Sequence, residues 1–368
     1  MRPDQSRGSG SLKILLFQIY GNQRAYHLEL TYCVLSAMRF LQDDPAGIRI
    51  VLAADAENRR PDLPADHLPI TPDTLLEWQM NGSYTHAIQA HALHHAVRHF
   101  DAPTILIDSD TVFHAHPKHL FDRIGPGKTL MHAREGILRD SPEWPEWESL
   151  IRNTGGVLAG WPVDRNTVMH NAGVLGLHPS DAALMERVKA AMQEIRAQSS
   201  VFTAVQLAAS LGFGNETELS DCDDLVEHYW NGPRAYYHYQ IKRMFPKILQ
   251  GGGIEGMNMP LAPLERNPPC RMGNRIAARI KRMRRGGDGE YAYAYLAYLN
   301  ALSLRRSDMD MANVWAVTAL DMLSWGVSRQ HQEITTDFSH FSPAGLDAQD
   351  WMQPTLRRRW HDYWAART

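Results

Sequence analysis

The sequence predicts an α/β fold, a mainly parallel sheet flanked by helices, with a helical region appended at its C-terminal end. Three observations predict it. Short apolar runs alternate with segments of helical period up to about residue 250. One such run, Pro103-Thr104-Ile105-Leu106-Ile107, ends on the acidic triplet Asp108-Ser109-Asp110. Beyond Gly251-Gly252-Gly253 the strand-like runs stop, and the chain turns helical and rich in arginine.

Taken in order, Met1 to Ser11 is polar and rich in Gly and Ser, which predicts a disordered tail. Leu12 to Tyr20 is apolar apart from Lys13 and Gln18, and no small-residue cleavage site follows, so it reads as a first strand rather than a signal peptide. Leu28, Tyr32, Leu35, Met38 and Leu41 fall on one helical side, and Asp43-Asp44-Pro45 ends that helix. Ile48 to Leu52 is a second strand, Asn58 to Pro72 a loop rich in Pro and Asp, and Tyr84 to His99 a helix leading into the Ile105 strand. Strand and helix alternating at these spacings make βαβ units. Lys128 to His132 and Val174 to Leu177 read as strands, Ser180 to Gln198 and Val201 to Leu211 as helices, and Thr217 to Ser220 and Arg234 to Tyr239 as short strands. A long loop broken by Pro142, Pro145 and Pro162 carries Trp144, Trp147 and Trp161. Tyr291 to Leu304, Met309 to Trp325 and a final Trp- and Arg-rich segment are helical. The domains expected are a tail (1–11), an α/β domain (12–250) and a helical region (251–368).

Composition narrows the function. With 368 residues, 44% hydrophobic and 21% charged, the chain can bury a full core. A net charge of −3 gives no global reason to expect nucleic acid. Cys33, Cys222 and Cys270 are few and far apart, with neither zinc spacing nor a disulfide framework, which points to a reducing, cytoplasmic setting. No run reaches the length of a membrane span.

The triplet carries the chemistry. Two carboxylates one residue apart emerge where a parallel strand ends, the place where open α/β sheets bind ligands. Hard oxygen donors with room for phosphate oxygens suit Mg²⁺ or Mn²⁺, and a cation held there acts as a Lewis acid on a diphosphate leaving group. Read alone, Asp108 and Asp110 fit a turn cap equally well.

Ile105-Leu106-Ile107-Asp108-Ser109-Asp110-Thr111-Val112, followed by His116-Pro117-Lys118-His119-Leu120-Phe121, then Asn171-Ala172-Gly173-Val174, then His228-Tyr229-Trp230-Asn231-Gly232, resembles the GT-A glycosyltransferases, the family-eight glycogenin-like group most closely. The elements span about residues 12–245 in the family's order, and Phe202 to Gln206 stands where that family has an acidic-Gln helix start. The resemblance implies a GT-A-type sheet and transfer of a sugar from a nucleotide-diphosphate donor to an acceptor hydroxyl on a glycan or lipid-linked saccharide, with weak preference for retention. It implies a metal held by Asp108, Asp110 and His228, catalytic roles for Asp108, Asp110 and Asn171, and donor contacts from Gln18, Tyr20, Tyr84, Asp108 and Ser109. Gln18 and Tyr20 stand where the family's first strand ends in Asp, and Tyr84, His86 and Gln89 occupy the stretch that carries a basic residue in the family.

Other constellations compete or add. An imidazole is a fitting third ligand for Mn²⁺, and His238 competes with His228. His91, His94, His95 and His99 share a helix, with His95 and His99 at the spacing of a zinc pair but no Glu between them. His114-Ala115-His116-Pro117-Lys118-His119 offers an alternative reading as a metal-dependent hydrolase, with Lys118 where a second cation would sit. A sugar-binding protein without catalysis is the other alternative. The three Trp fit either a stacking platform for an acceptor sugar or a loop pinned by buried indoles. Among Glu216, Glu218, Asp221, Asp223 and Asp224, Asp223 is the candidate base for an inverting reaction. Arg271 to Arg285 is a basic run with Ile276, Ile280 and Met283 on one side, which suits peripheral contact with the inner face of a membrane, a solvated face or a partner-docking surface.

Overall fold

Apolar runs buried on both faces build one seven-stranded sheet among the described residues, in the order β12-β6-β11-β4-β1-β2-β3. The computed structural model describes residues 11–21, 23–141, 143–230, 234–254, 261–284, 288–326 and 331–366. The predicted tail up to residue 10, Pro142, Asn231-Gly232 and Arg285 lie outside the described residues. The chain divides into two compact units, Met1–His228 with Lys247–Leu261, and Tyr229–Pro246 with Ala262–Thr368. The sequence suggests a single boundary at 250/251; the chain instead leaves the first unit after His228, returns at Lys247 and leaves again at Ala262.

In chain order the first unit contains β1 (Lys13–Ile19), α1 (Arg24–Leu41), β2 (Ile48–Ala54), β3 (Asp66–Pro69), α2 (Pro72–Trp78), α3 (Ala87–Phe100), β4 (Thr104–Ile107), β5 (Thr111–Phe113), α4 (Lys118–Phe121), β6 (Lys128–Met131), β7 (Arg134–Ile137), α5 (Trp144–Asn153), β8 (Val157–Leu158), β9 (Trp161–Pro162), β10 (Val168–His170), β11 (Val174–Leu177), α6 (Leu184–Gln198), α7 (Ala204–Glu216), β12 (Glu218–Ser220) and β13 (Val226–His228). Pairing is parallel from β4 through β1 and β2 to β3, and between β12 and β6; β11 runs antiparallel to both β4 and β6. The mixed α/β class, the mostly parallel sheet and its helical flanks are those the sequence predicts.

Side chains alternate across the sheet, and both faces are covered. Ile14, Leu16 and Leu106 pack with α3, α6 and α7, while Leu15, Phe17, Ile19, Ile105 and Ile107 pack with α1. Each fully buried aliphatic side chain contributes about 1.5–3 kcal/mol relative to exposure. That two-sided burial is why these strands read as continuous apolar runs.

Three stretches depart from expectation. The loop of Asn58 to Pro72 contains β3, a sheet-edge strand too short and polar to show an alternation. The Trp-rich stretch is α5 followed by the β8–β9 hairpin. Pro145 sits in the first turn of α5, where its missing N–H removes no helical bond. Ala159 and Gly160 both take positive φ (47° and 84°) between β8 and β9, as a tight two-residue hairpin turn requires. Arg234 to Tyr239, read as a strand from its aromatic content, is part of helix α8 (Arg234–Met244), which buries Tyr236, Tyr237 and Ile241 on one side. Helical spacing of that buried set overrides the strand propensity of tyrosine.

Trp147 is fully buried and Trp161 nearly so, with the Trp161 indole donating to Glu216 and stacked under Arg187. These two indoles pin the segment rather than offer a sugar platform. Trp147→Ala is expected to lower stability by about 3–5 kcal/mol in urea denaturation; a value near zero would return Trp147 to the surface.

The second unit is helical: α8, α9 (Met272–Arg284), α10 (Gly289–Leu304), α11 (Met309–Gly326), α12 (His331–Asp337), α13 (Pro343–Leu346) and α14 (Pro354–Ala365). Its core is aromatic, with Tyr291, Tyr298, Trp315, Phe338, Phe341, Trp360 and Trp364 buried together. Among the described residues no helix is long and apolar enough to cross a membrane.

Candidate metal centre

β4 delivers Asp108 to the carboxyl edge of the sheet, where its backbone N–H donates to the Gly173 carbonyl just before β11 (2.9 Å). The triplet then turns the chain into β5, which pairs antiparallel with β13 and sets Thr111 opposite His228. This pairing unites residues more than a hundred positions apart. Helix α1 holds the turn from behind. The Thr111 hydroxyl donates to the Asp108 carbonyl (2.9 Å) and accepts the Cys33 thiol (3.0 Å), while Ser36 accepts the Phe113 N–H (3.1 Å). Burial pushes the Cys33 thiol well above its usual range, so it stays a protonated donor.

One carboxylate oxygen each from Asp108 and Asp110 and one imidazole nitrogen of His228 lie within 4.8 Å of one another. The side chains of Asp110 and His228 are only 11% and 7% exposed. The hydrogen-bond network fixes which His228 nitrogen faces the carboxylates. Asn171 Oδ1 accepts the Gly173 backbone N–H (2.8 Å), and Asn171 Nδ2 donates to Glu135 (2.7 Å), so the amide can stand only one way round. Oδ1 also meets His228 Nδ1 at 2.8 Å, which makes Nδ1 the donor. In the neutral imidazole Nε2 is then a bare lone pair, and it faces Asp110 Oδ1 at 3.1 Å. Two acceptors at that distance are compatible only with a proton or a cation between them. One buried and one half-buried carboxylate with one oriented imidazole therefore make a donor set that fits a divalent cation.

Surrounding groups orient these three side chains. Gln89 on α3 donates from one Nε2 to both oxygens of Asp108 (2.7 and 2.8 Å). Glu135, at the start of β7, accepts from Asn171 on one oxygen and from Gln206 of α7 on the other (2.5 Å). His132 packs edge-on against His228 with ring centres 5.5 Å apart and donates to the Val226 carbonyl (2.9 Å). Burial, then the neighbouring His228, lowers the proton affinity of His132. Groups that orient ligands are typically worth 10–100-fold in metal affinity. Gln89→Leu is expected to weaken Mn²⁺ binding by about that factor in a calorimetric titration; an unchanged affinity would show that Asp108 needs no such clamp.

The other predicted residues are placed as follows. Ser109 is half-buried in the turn, with its hydroxyl 3.5 Å from the fully buried Glu29. Tyr20 lies near Asp108; burial, then the charge of Asp108, raises its hydroxyl well above the usual range. Gln18 is 9% exposed, and its Oε1 has no hydrogen-bond partner among the described residues. With Tyr20, Trp78 and Ile88 it lines a cavity of about 10 Å³. Tyr84 is buried; its hydroxyl donates to the Phe202 carbonyl (2.7 Å) and accepts from Val205 N–H (3.1 Å), and burial pushes it up to about 12. Asp223 is exposed on the segment between β12 and β13, whereas Asp224 pairs with Arg123, Glu216 with Arg187 and Glu218 with Lys128. Asp221 stands 3.6 Å from His170.

The competing histidines do not converge. Among the described residues the three-ligand cluster is Asp108, Asp110 and His228, and His238 on α8 is outside it. His114 faces Glu227 (3.0 Å), while His116 donates to the Asp44 carbonyl (2.7 Å) and Lys118 pairs with Asp44. The hydrolase reading loses its ligands this way. His91 and His95 pack on Trp78, and burial lowers the His91 imidazole to about 4. Sequence reasoning missed Glu135 and His132 altogether and saw Gln89 only as an occupant of its stretch. No local signal marks them, because their partners arrive from other strands.

No family model matches the chain, and no curated protein matches it. Among solved structures, mouse xyloside xylosyltransferase 1 in its apo form is similar, with a TM-score of 0.39 and 12% identity over 58% of this chain and 85% of that one.

Proposed function

We propose that the chain is a metal-dependent GT-A-type glycosyltransferase, which moves a sugar from a nucleotide-diphosphate donor to an acceptor hydroxyl on a glycan or lipid-linked saccharide. The observation that carries this reading is the cluster of Asp108, Asp110 and His228 at the carboxyl end of β4, with His228 Nε2 turned toward Asp110. Asp108, Asp110 and His228 would hold Mn²⁺ or Mg²⁺; when bound, such a cation neutralises charge building on a diphosphate leaving group.

The chain's own residues bind and orient around that point. Gln18 presents a buried acceptor, with no hydrogen-bond partner among the described residues, at the end of β1, suited to an N–H of the donor's base. Tyr20 remains a hydroxyl donor close to Asp108. Asn171 holds His228 by Oδ1 and is held by Glu135 through Nδ2, so in this reading it fixes the ligand rather than touching sugar. Phe202, 63% exposed, meets His86 edge-on at 4.3 Å, and the charge of Asp110 reaches His86. That exposed ring is the better stacking surface for an acceptor sugar than the buried Trp147 and Trp161. Asp223 stays free of a close ion pair among the described residues and is the base to test if the reaction inverts. The glycogenin-like assignment is part of this proposal and rests on the motif order alone.

The test is a thermal-shift screen of nucleotide-diphosphate sugars with and without Mn²⁺. A ligand at a hundred times its Kd stabilises by about 2.7 kcal/mol, a rise of roughly 5–10 °C for a domain of this size. If no nucleotide-diphosphate sugar gives a metal-dependent shift, the reading fails. A shift without turnover across glycan and lipid-linked acceptors would favour a non-catalytic sugar binder.

A further inference from the structure

Helix α9 is amphipathic in the inverted sense. Ala278 is its buried residue, and Asn274, Ala277 and Lys281 accompany it on the half-buried side. That side is held by polar contacts: Asn274 Nδ2 donates to Asn300 (2.8 Å) and Ser303 (3.2 Å), and Lys281 pairs with Asp337 (2.6 Å) over the ring of Tyr295. The opposite side carries Met272, Ile276, Ile280 and Met283, exposed by 69%, 56%, 41% and 69%. Their spacing of four, four and three residues makes one straight stripe over about three turns. Exposed Arg275, Arg279 and Arg284 flank it, and no acidic residue occurs from Arg271 to Arg284. An ordinary surface helix turns its large aliphatic side chains inward; this one turns alanine and asparagine inward and its isoleucines and methionines out.

We infer that α9 lies flat on a bilayer surface rich in anionic lipid headgroups. The stripe enters the boundary between headgroups and acyl chains, and the flanking guanidinium groups take the phosphates. Charge complementarity selects this occupant: the exposed face beside the stripe carries Arg275, Arg279 and Arg284 and no acid, so it needs an anionic surface. The stripe has no aromatic anchor of the kind that carries most protein interfaces, and flexible methionine and isoleucine side chains suit fluid acyl chains. The transferase reading is not needed for this inference, although a surface-bound chain would meet lipid-linked acceptors directly.

The test is co-sedimentation of the full chain with vesicles of phosphatidylcholine alone or mixed with phosphatidylglycerol, in chelator, at low and high salt. Binding is expected only with phosphatidylglycerol and is expected to weaken with salt. Each arginine near an anionic surface contributes a factor of about five, so Arg275→Gln/Arg279→Gln should bind roughly thirtyfold more weakly. Ile276→Gln/Ile280→Gln should bind about tenfold or more weakly through lost apolar burial. All four positions are exposed, and unchanged melting temperatures verify that both variants fold. Absence of binding to anionic vesicles at low salt, or binding that both variants retain, overturns the inference. So does a dimer in sedimentation equilibrium that Ile276→Gln/Ile280→Gln dissociates without any vesicle binding, since the stripe would then be an interface between copies.

Discussion

Asp110→Asn is expected to abolish the metal-dependent stabilisation by a nucleotide-diphosphate sugar and to lower transfer activity by about a thousandfold or more. The substitution keeps the shape of the side chain and removes one of two charges facing the cation. Asp110 is 8% exposed, so no bulk water replaces the lost ligand. A metal that stabilises developing charge is worth several kcal/mol, and each 1.36 kcal/mol is a factor of ten in rate. The measurement is the thermal shift with Mn²⁺ and donor beside a steady-state assay, with the melting temperature in chelator as the folding control. A variant that keeps the full metal-dependent shift would remove Asp110 from the site and sink the transferase reading with it.

Gly173→Ala should damage the same site without touching a ligand atom. A methyl group at Gly173 would stand 2.3 Å from His228 Nδ1, 2.6 Å from its Cε1 and 2.9 Å from Asn171 Oδ1. The imidazole must move, which breaks the bond that turns Nε2 toward Asp110. Overpacking of this kind costs about 1–3 kcal/mol, and Mn²⁺ affinity should fall 10–100-fold as the ligand loses its aim. A double-mutant cycle separates the two effects. In a His228→Ala background only the 2.9 Å approach to Asn171 Oδ1 remains, so Gly173→Ala should cost clearly less there than in the parent. An equal cost in both backgrounds would mean that the strain lies elsewhere than against His228.

The members of the Asp108, Asp110 and His228 cluster were legible in the sequence, whereas the groups that surround it were not. Asp108 and Asp110 stand next to each other at the end of an apolar run, and that local pattern exposes a strand end carrying two acids. His228 could be named because a family resemblance points to a late histidine, and the structure brings it to the carboxylates through the pairing of β5 with β13. Gln89, Glu135 and His132 meet the site only after α3, β7 and β6 have packed, so nothing beside them in the chain announces the contact. The Trp-rich segment misled for the reciprocal reason. Three prolines suggest a loop, yet Pro145 falls in the one turn of a helix that tolerates it, and Trp147 is drawn into the core.

By itself the sequence determined the α/β class, the run of strands that places the triplet at a sheet edge, and the two carboxylates. These follow from local periodicity, because strands buried on both faces must be apolar along their whole length. Only the tertiary structure decided which histidine joins the carboxylates, which of its nitrogens faces them, and that α9 turns its isoleucines outward. Those are properties of pairing and orientation between distant segments. Side-chain periodicity says which residues share a face, but only packing says what that face meets.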